Sequence, residues 1–162
     1  QVSSGFIKPL VGRLRPSLDP EFMHLIDTFN NYRSGSYSFT SSHACNSFAL
    51  AIFISLLIRN KALTLSMLAW ASINSYSRIY LGVHFPGDIL CGAVLGSIIG
   101  SITYWIYNIL HNKVERSSVR ITANYTKSGY LVDDVFLMVT SIYATFVFIA
   151  IYALIYINNN VL

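Results

Sequence analysis

The chain has 162 residues, of which 54% are hydrophobic and only 11% are charged, and its mean hydropathy is +0.52. A soluble domain usually carries about 25% charged residues, so this composition excludes an ordinary soluble protein and favours one that lies in lipid. The net charge of +4 is compatible with a nucleic-acid binder, but the basic residues are scattered between apolar runs and form no basic stripe. We therefore expect no nucleic-acid partner.

The N-terminal segment, residues 1–43, is the least apolar part and is predicted to be mostly loop. Two apolar runs follow, 44–58 and 62–76, and Arg59, Asn60 and Lys61 separate them. This pattern predicts a helical hairpin with a tight charged turn. Each run alone is shorter than the roughly 20 residues that a membrane span needs, although uncharged polar flanks narrow the gap.

The two longest uncharged runs lie later in the chain, at 89–110 and 135–157, and both are long enough to cross a bilayer. The segment between them, 111–131, is polar and basic. Within the first run, glycines recur every fourth residue on one helix face, as in close helix contacts in membranes, and we expect them to pack inside the bundle. These glycines are Gly92, Gly96 and Gly100.

Three short segments hold most of the polar residues that carry a chemical signal, and the first runs from Lys8 to Pro16. On a helix, Lys8 and Arg15 would lie seven residues apart on one face, so two cations beside a span would suit a bound phosphate. A pair of side chains reaching toward lipid headgroups is the ordinary alternative. Arg13 would point elsewhere on such a helix and is interpreted as a flanking charge.

The second segment is Thr40-Ser41-Ser42-His43, which immediately precedes an apolar helix. Ser41 or Ser42 suits the N-cap position. The same geometry directs free backbone N–H groups and the positive helix end at an anion, where His43 would be able to donate a proton. A single histidine in such a position is more often structural, so this segment alone does not decide the function.

The third segment runs from Ser77 to Asp88 and contains Arg78 and His84. Pro86 suits the first turn of the helix that follows. Asp88 lies four residues after His84, close enough for its carboxylate to accept the imidazole N–H, fix the tautomer and activate the other ring nitrogen. A buried structural pair is the alternative, but an ionisable group at mid-membrane costs about 2.5 kcal/mol or more and usually has a function.

Together the segments read Lys-x6-Arg-Pro, Ser-x-His and Ser-Arg-x5-His-x3-Asp. This order and spacing resemble the signature of the type 2 phosphatidic acid phosphatase family, within the lipid phosphate phosphatase and vanadium haloperoxidase superfamily. The resemblance covers residues 8–88. It implies an all-α fold, a polytopic transmembrane helical bundle of the acid phosphatase/haloperoxidase type, and a phosphatase that needs neither a metal nor a cofactor.

The resemblance also implies roles for single residues. His84 would attack phosphorus and become a phosphohistidine, Asp88 would orient it, and His43 would act as general acid and then as general base. The implied ligands of the phosphoryl oxygens are Lys8, Arg15, Ser41, Ser42 through its backbone N–H, and Arg78. The sequence departs from the family at Thr40 and Ser42, where Pro and Gly are usual. The loss of Gly predicts a tighter phosphate cradle, and with it a lower rate or a different leaving group.

We interpret residues 1–110 as a phosphatase core, 111–131 as a cytoplasmic basic connector and 132–162 as an additional C-terminal transmembrane helix. Members of the family normally have spans before the first segment. Since this sequence starts at Gln1 and reaches Lys8 at once, we expect its N-terminal spans to be missing.

Charge distribution predicts the orientation in the membrane. The 59–61 turn and the 111–131 segment are expected on one side, opposite the three chemical segments. That side carries Arg59, Lys61, Lys113, Arg116, Arg120 and Lys127 against Glu115. The other side, apart from the implied phosphate ligands, carries Arg13 and Arg33 against Asp19, Glu21 and Asp27, with Asp133 and Asp134 near the last span. The positive-inside rule then places the site outside the cytoplasm, on the periplasmic face of a bacterial inner membrane.

The leading hypothesis is a lipid phosphatase acting on an isoprenoid diphosphate, a phosphatidyl phosphate or a lipid A-type phosphate. The expected partners are a phosphorylated lipid and the bilayer, and the sequence does not indicate an oligomeric state. A lipid-to-lipid phosphotransferase with the same site and an inactive membrane scaffold stay open as alternatives. Spans of lipid-crossing length argue against a third alternative, a haloperoxidase.

Overall fold

The computed structural model describes residues 7–24, 35–114, 124–126 and 128–161. Within these ranges the regular secondary structure is helical, and strand pairing is limited to the isolated bridges Leu14–Tyr37 and Tyr125–Leu131. The helices are α1 (Lys8–Val11), α2 (Ser42–Ile58), α3 (Lys61–Tyr80), α4 (Pro86–Val114) and α5 (Val132–Val161). The expected all-α class is confirmed for the described residues.

The predicted helical hairpin is formed by α2 and α3. Arg59 ends α2 in the left-handed region, with φ of 56°, and donates its backbone N–H to the Ser55 carbonyl at 3.1 Å. Asn60 caps α3, because its side-chain oxygen accepts the Leu63 N–H at 3.1 Å. Two residues therefore reverse the chain, as the charged interruption between the two apolar runs predicted.

Helix α4 packs along α2 through the three glycines predicted to make close contacts. An added Cβ would lie 2.7 Å from the Ser41 carbonyl oxygen at Gly92, 2.1 Å from that of Cys45 at Gly96 and 2.4 Å from that of Ala49 at Gly100. All three contacts are to the backbone of α2 or its cap, which confirms packing within the bundle. The close approach holds the N-terminus of α2 beside the first turn of α4.

Two helices are long and apolar enough to cross a membrane, over Pro86–His111 and Val132–Asn158. Helix α2 is apolar but has 17 residues. At about 1.5 Å per residue it spans roughly 26 Å, slightly less than the ~30 Å hydrocarbon core of a bilayer. The described residues thus provide two candidate spans, and only 6% of the apolar window of α5 is buried within the chain.

The two ends of the bundle differ in composition. At one end the 59–61 turn meets the segment before α5, because Ser128 donates its hydroxyl to the Ile58 carbonyl and Arg59 reaches the Tyr104 hydroxyl at 3.4 Å. The expectation that 59–61 and the end of the connector share a side is therefore confirmed. Asp133 and Asp134 begin α5 at this same end. Their expected position on the side of the three chemical segments was therefore wrong, because the chain enters α5 from the end that carries the 59–61 turn. Six of the charged residues from which the membrane orientation was predicted lie outside the described residues: Asp27, Arg33, Glu115, Arg116, Arg120 and Lys127.

Candidate active site

The first chemical segment is not the single helix that the seven-residue spacing of Lys8 and Arg15 predicted. Helix α1 ends at Gly12, which adopts φ of 61° and donates its N–H to the Lys8 carbonyl at 3.0 Å. A residue before proline is disfavoured in a helix, which also keeps Arg15 out of one. The prediction of one shared helix face was therefore wrong, although both side chains still reach the same cavity.

Arg15 is positioned by a neighbouring stretch of chain. Leu14 pairs with Tyr37 in an antiparallel bridge, and Ser38 donates its backbone N–H to the Arg13 carbonyl at 2.8 Å. The Arg15 guanidinium, whose residue is 7% exposed, donates to the Gly35 carbonyl and, at 3.0 Å, to the Val83 carbonyl. These contacts fix a buried cation next to His84 before any ligand binds.

The second segment forms the start of α2. Ser41 is the N-cap, and its hydroxyl oxygen accepts the Ala44 N–H at 3.4 Å while its backbone N–H donates to the Asp88 carbonyl at 3.2 Å. Its buried side chain caps the helix and is not among the residues that line the cavity. Ser42 and His43, in the first turn, do line it.

The third segment forms the connection from α3 to α4. Gly82, with φ of 65°, turns the chain after α3, and the Val83 N–H donates to the Arg78 carbonyl at 3.2 Å. Pro86 is the first residue of α4, as its preference for the first helical turn predicted. His84 therefore lies in the short link between two helices, close to the N-terminus of a third.

These elements enclose a cavity of about 110 Å³. Its lining combines cations, both histidines of the chemical segments and one serine, and consists of Lys8, Arg15, Ser42, His43, Arg78, Val83 and His84. Since a cavity needs only about 10–15 Å³ on the same measure to hold one water, the space suits a phosphate-sized group but not the body of a lipid. Among the described residues, no group of three or more His, Cys, Asp or Glu side chains is arranged to hold a metal ion.

Asp88 is fully buried and lies behind His84. Its Oδ2 is 3.6 Å from His84 Nδ1, which is longer than a hydrogen bond, and it accepts the Phe85 backbone N–H at 2.9 Å. The hydroxyl of Ser38 lies closer to the imidazole, at 3.3 Å from Nδ1, and donates to the same Asp88 oxygen. Asp88 thus lies beside His84 as predicted, but at a distance longer than the direct hydrogen bond that the spacing suggested, and a serine hydroxyl contacts both residues.

Arg13 has a different place from the one that the sequence predicted. Its Nη1 is 3.3 Å from Asp88 Oδ1, and its guanidinium lies over the Phe85 ring at 4.0 Å from the ring centroid. The interpretation of Arg13 as a flanking charge was wrong, because it assumed that residues 8–15 form one helix. Arg13 is instead the ionic partner of the second carboxylate oxygen.

Burial and neighbouring charges both shift the pKa values of ionisable groups in the site. Burial lowers the pKa of His84 below its ordinary value, the adjacent carboxylate of Asp88 opposes this, and the nearby cations Arg15 and Lys8 lower it further. Burial, followed by the charge of Arg15, likewise lowers the pKa of Lys8. The imidazole of His84 therefore stays neutral, with a free electron pair, to a lower pH than an exposed histidine.

Ser38 and Arg13 are the site residues that sequence reasoning missed. Ser38 lies in a stretch rich in Ser, Gly and Thr that reads as a loop, and its only signal was its position five residues before His43. Arg13 was visible as a charge within the first segment, but its direction depended on a helix that ends at Gly12.

Known proteins with similar sequences carry related activities in their names. A lipid A 4′-phosphatase of Bacteroides thetaiotaomicron is 44% identical over 117 residues, which cover 71% of this chain and 52% of that protein. A lipid A 4′-phosphatase of Porphyromonas gingivalis is 43% identical over 107 residues, covering 66% and 45%. An undecaprenyl-diphosphatase of Bacillus subtilis is 30% identical over 96 residues, covering 59% and 48%. The chain thus spans about half the length of the curated relatives it matches.

No solved structure matches the chain. The sequence profile of the PAP2 superfamily, in contrast, matches residues 1–112, which include all three chemical segments and nearly all of α4. This agrees with the resemblance drawn from the segments themselves. The chain belongs to the PAP2 superfamily.

Proposed function

We propose that this chain carries the phosphoryl-transfer site of a membrane lipid phosphatase that works through a phosphohistidine. The observation that carries the proposal is the cavity in which Lys8, Arg15 and Arg78 meet His43 and His84. Phosphoryl transfer requires positioning and charge neutralisation above all, and three cations around a phosphate-sized space supply both.

In the proposed first step, His84 Nε2 attacks phosphorus and the bond from phosphorus to the lipid oxygen breaks. His43 donates a proton to the departing oxygen, so the lipid leaves as an alcohol. In the second step, His43 takes a proton from water, the resulting hydroxide attacks phosphorus, and the phosphorus–nitrogen bond breaks to release inorganic phosphate. Asp88 keeps Nδ1 protonated throughout and stabilises the charge that develops on the ring.

The phosphoryl oxygens are proposed to bind the cations together with the N-terminus of α2. Each charge-assisted hydrogen bond would contribute roughly 1.5–3 kcal/mol to the binding of the phosphoryl group. Ser42 is proposed to supply a backbone N–H, and this residue lines the cavity at the position where the family usually has glycine. Ser41 was expected to bind the phosphoryl oxygens directly, but it does not line the cavity. Its proposed contribution is therefore indirect, through the cap that holds the α2 N-terminus beside Asp88.

The proposed substrate is a lipid A-type phosphate. Two relatives that match 71% and 66% of this chain are named as lipid A 4′-phosphatases. A cavity of about 110 Å³ holds the phosphate alone, so the acyl chains would stay in the bilayer. Isoprenoid diphosphates and phosphatidyl phosphates present the same terminal phosphoryl group and are the competing substrates.

We further propose a polytopic bundle in a bacterial inner membrane, with the cavity on the periplasmic face. In support, the cavity lies at the start of α4, whereas Arg59 and Lys61 lie at the opposite end of the bundle. The proposed division is a catalytic core over 1–110, a cytoplasmic connector over 111–131 and a separate helix over 132–162.

The test measures phosphate release by the full-length protein from lipid A, an isoprenoid diphosphate and a phosphatidyl phosphate in mixed micelles. We expect lipid A to be the preferred substrate, and we expect His84→Ala to abolish turnover. The matched control is His24→Ala, because His24 is exposed and does not line the cavity. Equal release by the wild type and His84→Ala would refute the mechanism, and a clear preference for another lipid would refute the substrate.

A further inference from the structure

The hydroxyl of Ser38 lies within reach of both members of the His84–Asp88 pair. Ser38 is fully buried, its Oγ is 3.3 Å from His84 Nδ1, and its hydroxyl donates to Asp88 Oδ2. The direct distance from His84 Nδ1 to Asp88 Oδ2 is longer, at 3.6 Å. The serine oxygen is therefore closer to Nδ1 than the carboxylate oxygen is, and it lies within hydrogen-bond distance of both groups.

The donors and acceptors around this oxygen define the protonation of the ring. An ionised carboxylate only accepts, so the Ser38 proton points to Asp88 and leaves a lone pair on Oγ for an Nδ1–H of His84. On the other side of the ring, Arg15 Nη1 lies 3.5 Å from Nε2, and an arginine only donates. Both contacts favour the tautomer with hydrogen on Nδ1 and a free electron pair on Nε2.

Both oxygens of the Asp88 carboxylate have partners among the described residues. Its Oδ2 accepts from Ser38 and from the Phe85 backbone N–H, and its Oδ1 faces Arg13 at 3.3 Å. A carboxylate fixed in this way cannot rotate toward the imidazole to shorten the 3.6 Å gap without giving up another bond. The serine hydroxyl contacts both groups from one side and links them by hydrogen bonds.

We propose that Ser38 is a positioning residue of the active site, which bridges Asp88 to His84 and holds the imidazole in its nucleophilic tautomer. Ser38 does not touch the substrate, because it does not line the cavity. Its effect reaches the reaction through the orientation and tautomer of His84. The role in turnover rests on the proposed function, whereas the tautomer is a property of the resting protein.

The test compares Ser38→Ala with Ser75→Ala in the full-length protein. Ser75 is the matched control, because its hydroxyl is equally buried but has no hydrogen-bond partner among the described residues and lies away from the cavity. We expect Ser38→Ala to lower kcat by about 10- to 100-fold with KM nearly unchanged, the size of loss that a misplaced reacting group causes. Ser75→Ala should retain wild-type kcat.

The decisive readout is the tautomer of His84, measured by nitrogen NMR on protein labelled in its histidine rings and assigned by difference from His84→Ala. The wild type should show a protonated Nδ1 and an unprotonated Nε2, and Ser38→Ala should show a mixture of both tautomers. A wild-type spectrum with protonated Nε2 would overturn the proposal without any variant. An unchanged tautomer in Ser38→Ala would overturn it too, whatever the rate.

The two proposals fail in different ways. A full-length protein that releases phosphate from none of the lipids would refute the proposed function, while the tautomer of His84 would still decide the role of Ser38. Conversely, a protein that depends on His84 but keeps its tautomer in Ser38→Ala would retain the proposed function and lose this inference.

Discussion

The imidazole of His84 is subject to opposing influences at the scale of single residues. Burial and the cations Arg15 and Lys8 favour its neutral form, while the carboxylate of Asp88 favours the charged form, and the net result is a lowered pKa. A nucleophilic histidine reacts only when neutral. The surroundings of His84 therefore extend its neutral form, the form that would attack phosphorus in the proposed mechanism, toward lower pH.

Replacing Arg15 by Gln should shift the pH dependence of the reaction. Removing one cation raises the pKa of His84, so the acidic limb of kcat/KM should move to higher pH relative to the wild type. Because Arg15 is also a proposed phosphate ligand, the plateau should fall by about 10- to 100-fold, the equivalent of one charge-assisted hydrogen bond. The measurement is the kcat/KM profile with one substrate for both proteins, so that ionisation of the substrate cancels.

Arg59→Gln is the control for this profile, since Arg59 lies at the opposite end of the bundle and should leave the acidic limb in place. An Arg15→Gln profile whose acidic limb stays fixed, or moves to lower pH, would contradict the account of His84.

Residue spacing predicted which side chains meet better than it predicted how they meet. Lys8 and Arg15 both line the cavity, but a glycine cap and a bridge to Tyr37 bring them there instead of a helix face. The contacts of Ser38 depend on how the 35–41 loop folds against residues 13–15, and the sequence alone contains no periodic signal for such a fold.

At the scale of helices, the contact between α2 and α4 is what holds the site together. Gly92 approaches the Ser41 carbonyl, and the Ser41 N–H in turn binds the Asp88 carbonyl. Side chains at these glycines would separate the helices and move His43 away from His84. Residues far from the cavity along α4 therefore influence its geometry.

Gly96→Ala should destabilise the protein. Alanine stabilises a helix by about 1 kcal/mol relative to glycine. However, the added Cβ would lie 2.1 Å from the Cys45 carbonyl oxygen, and overpacking of this kind typically costs about 1–3 kcal/mol. Because the obstacle is backbone, the clash should exceed the gain in propensity. The measurement is the thermal midpoint of the full-length protein in detergent, which we expect to fall by several degrees.

Gly87→Ala is the matched control on the same helix, because an added Cβ there meets nothing within 4 Å. Its midpoint should stay unchanged or rise slightly. If Gly96→Ala were as stable as Gly87→Ala, the close packing of α2 on α4 would be wrong.

The helices themselves could be predicted well, because uncharged runs bounded by polar residues are strong signals in a chain of this composition. The hairpin, the start of α4 at Pro86 and the glycine contacts all agree with the sequence. The runs are weaker evidence for which helices cross the membrane. Among the described helices, α4 and α5 alone are long and apolar enough to do so.

At the scale of the whole molecule, α4 connects two chemically different ends. Its 29 residues extend over about 43 Å, more than the hydrocarbon thickness of a bilayer. Asp88 lies in its first turn and His84 just before it, and the cationic turn at Arg59 lies beside its later residues near Tyr104. A single membrane-crossing helix would therefore place these ends on opposite faces.

Labelling of introduced cysteines should reveal which face is which. In right-side-out inner-membrane vesicles, an impermeant maleimide should modify Glu21→Cys but not Lys61→Cys. Both positions are exposed. Glu21 adjoins Phe22, whose ring contacts Phe85 at the cavity end, whereas Lys61 begins α3 at the opposite end. Permeabilised vesicles should label both, and the parent protein with Cys45 and Cys91 gives the background. Labelling of Lys61→Cys alone in intact vesicles would place the cavity on the cytoplasmic face.

In the proposed mechanism, His84 is the nucleophile that forms a covalent bond to phosphorus. The most direct measurement traps the resulting phosphohistidine. The full-length protein would be mixed with lipid carrying labelled phosphate, quenched in alkali within the first turnover, and digested for peptide mapping. We predict an acid-labile, alkali-stable phosphate on His84 that is absent in His84→Ala and present in His24→Ala. Turnover with the label on another residue, or with no labelled protein at any time, would contradict the account.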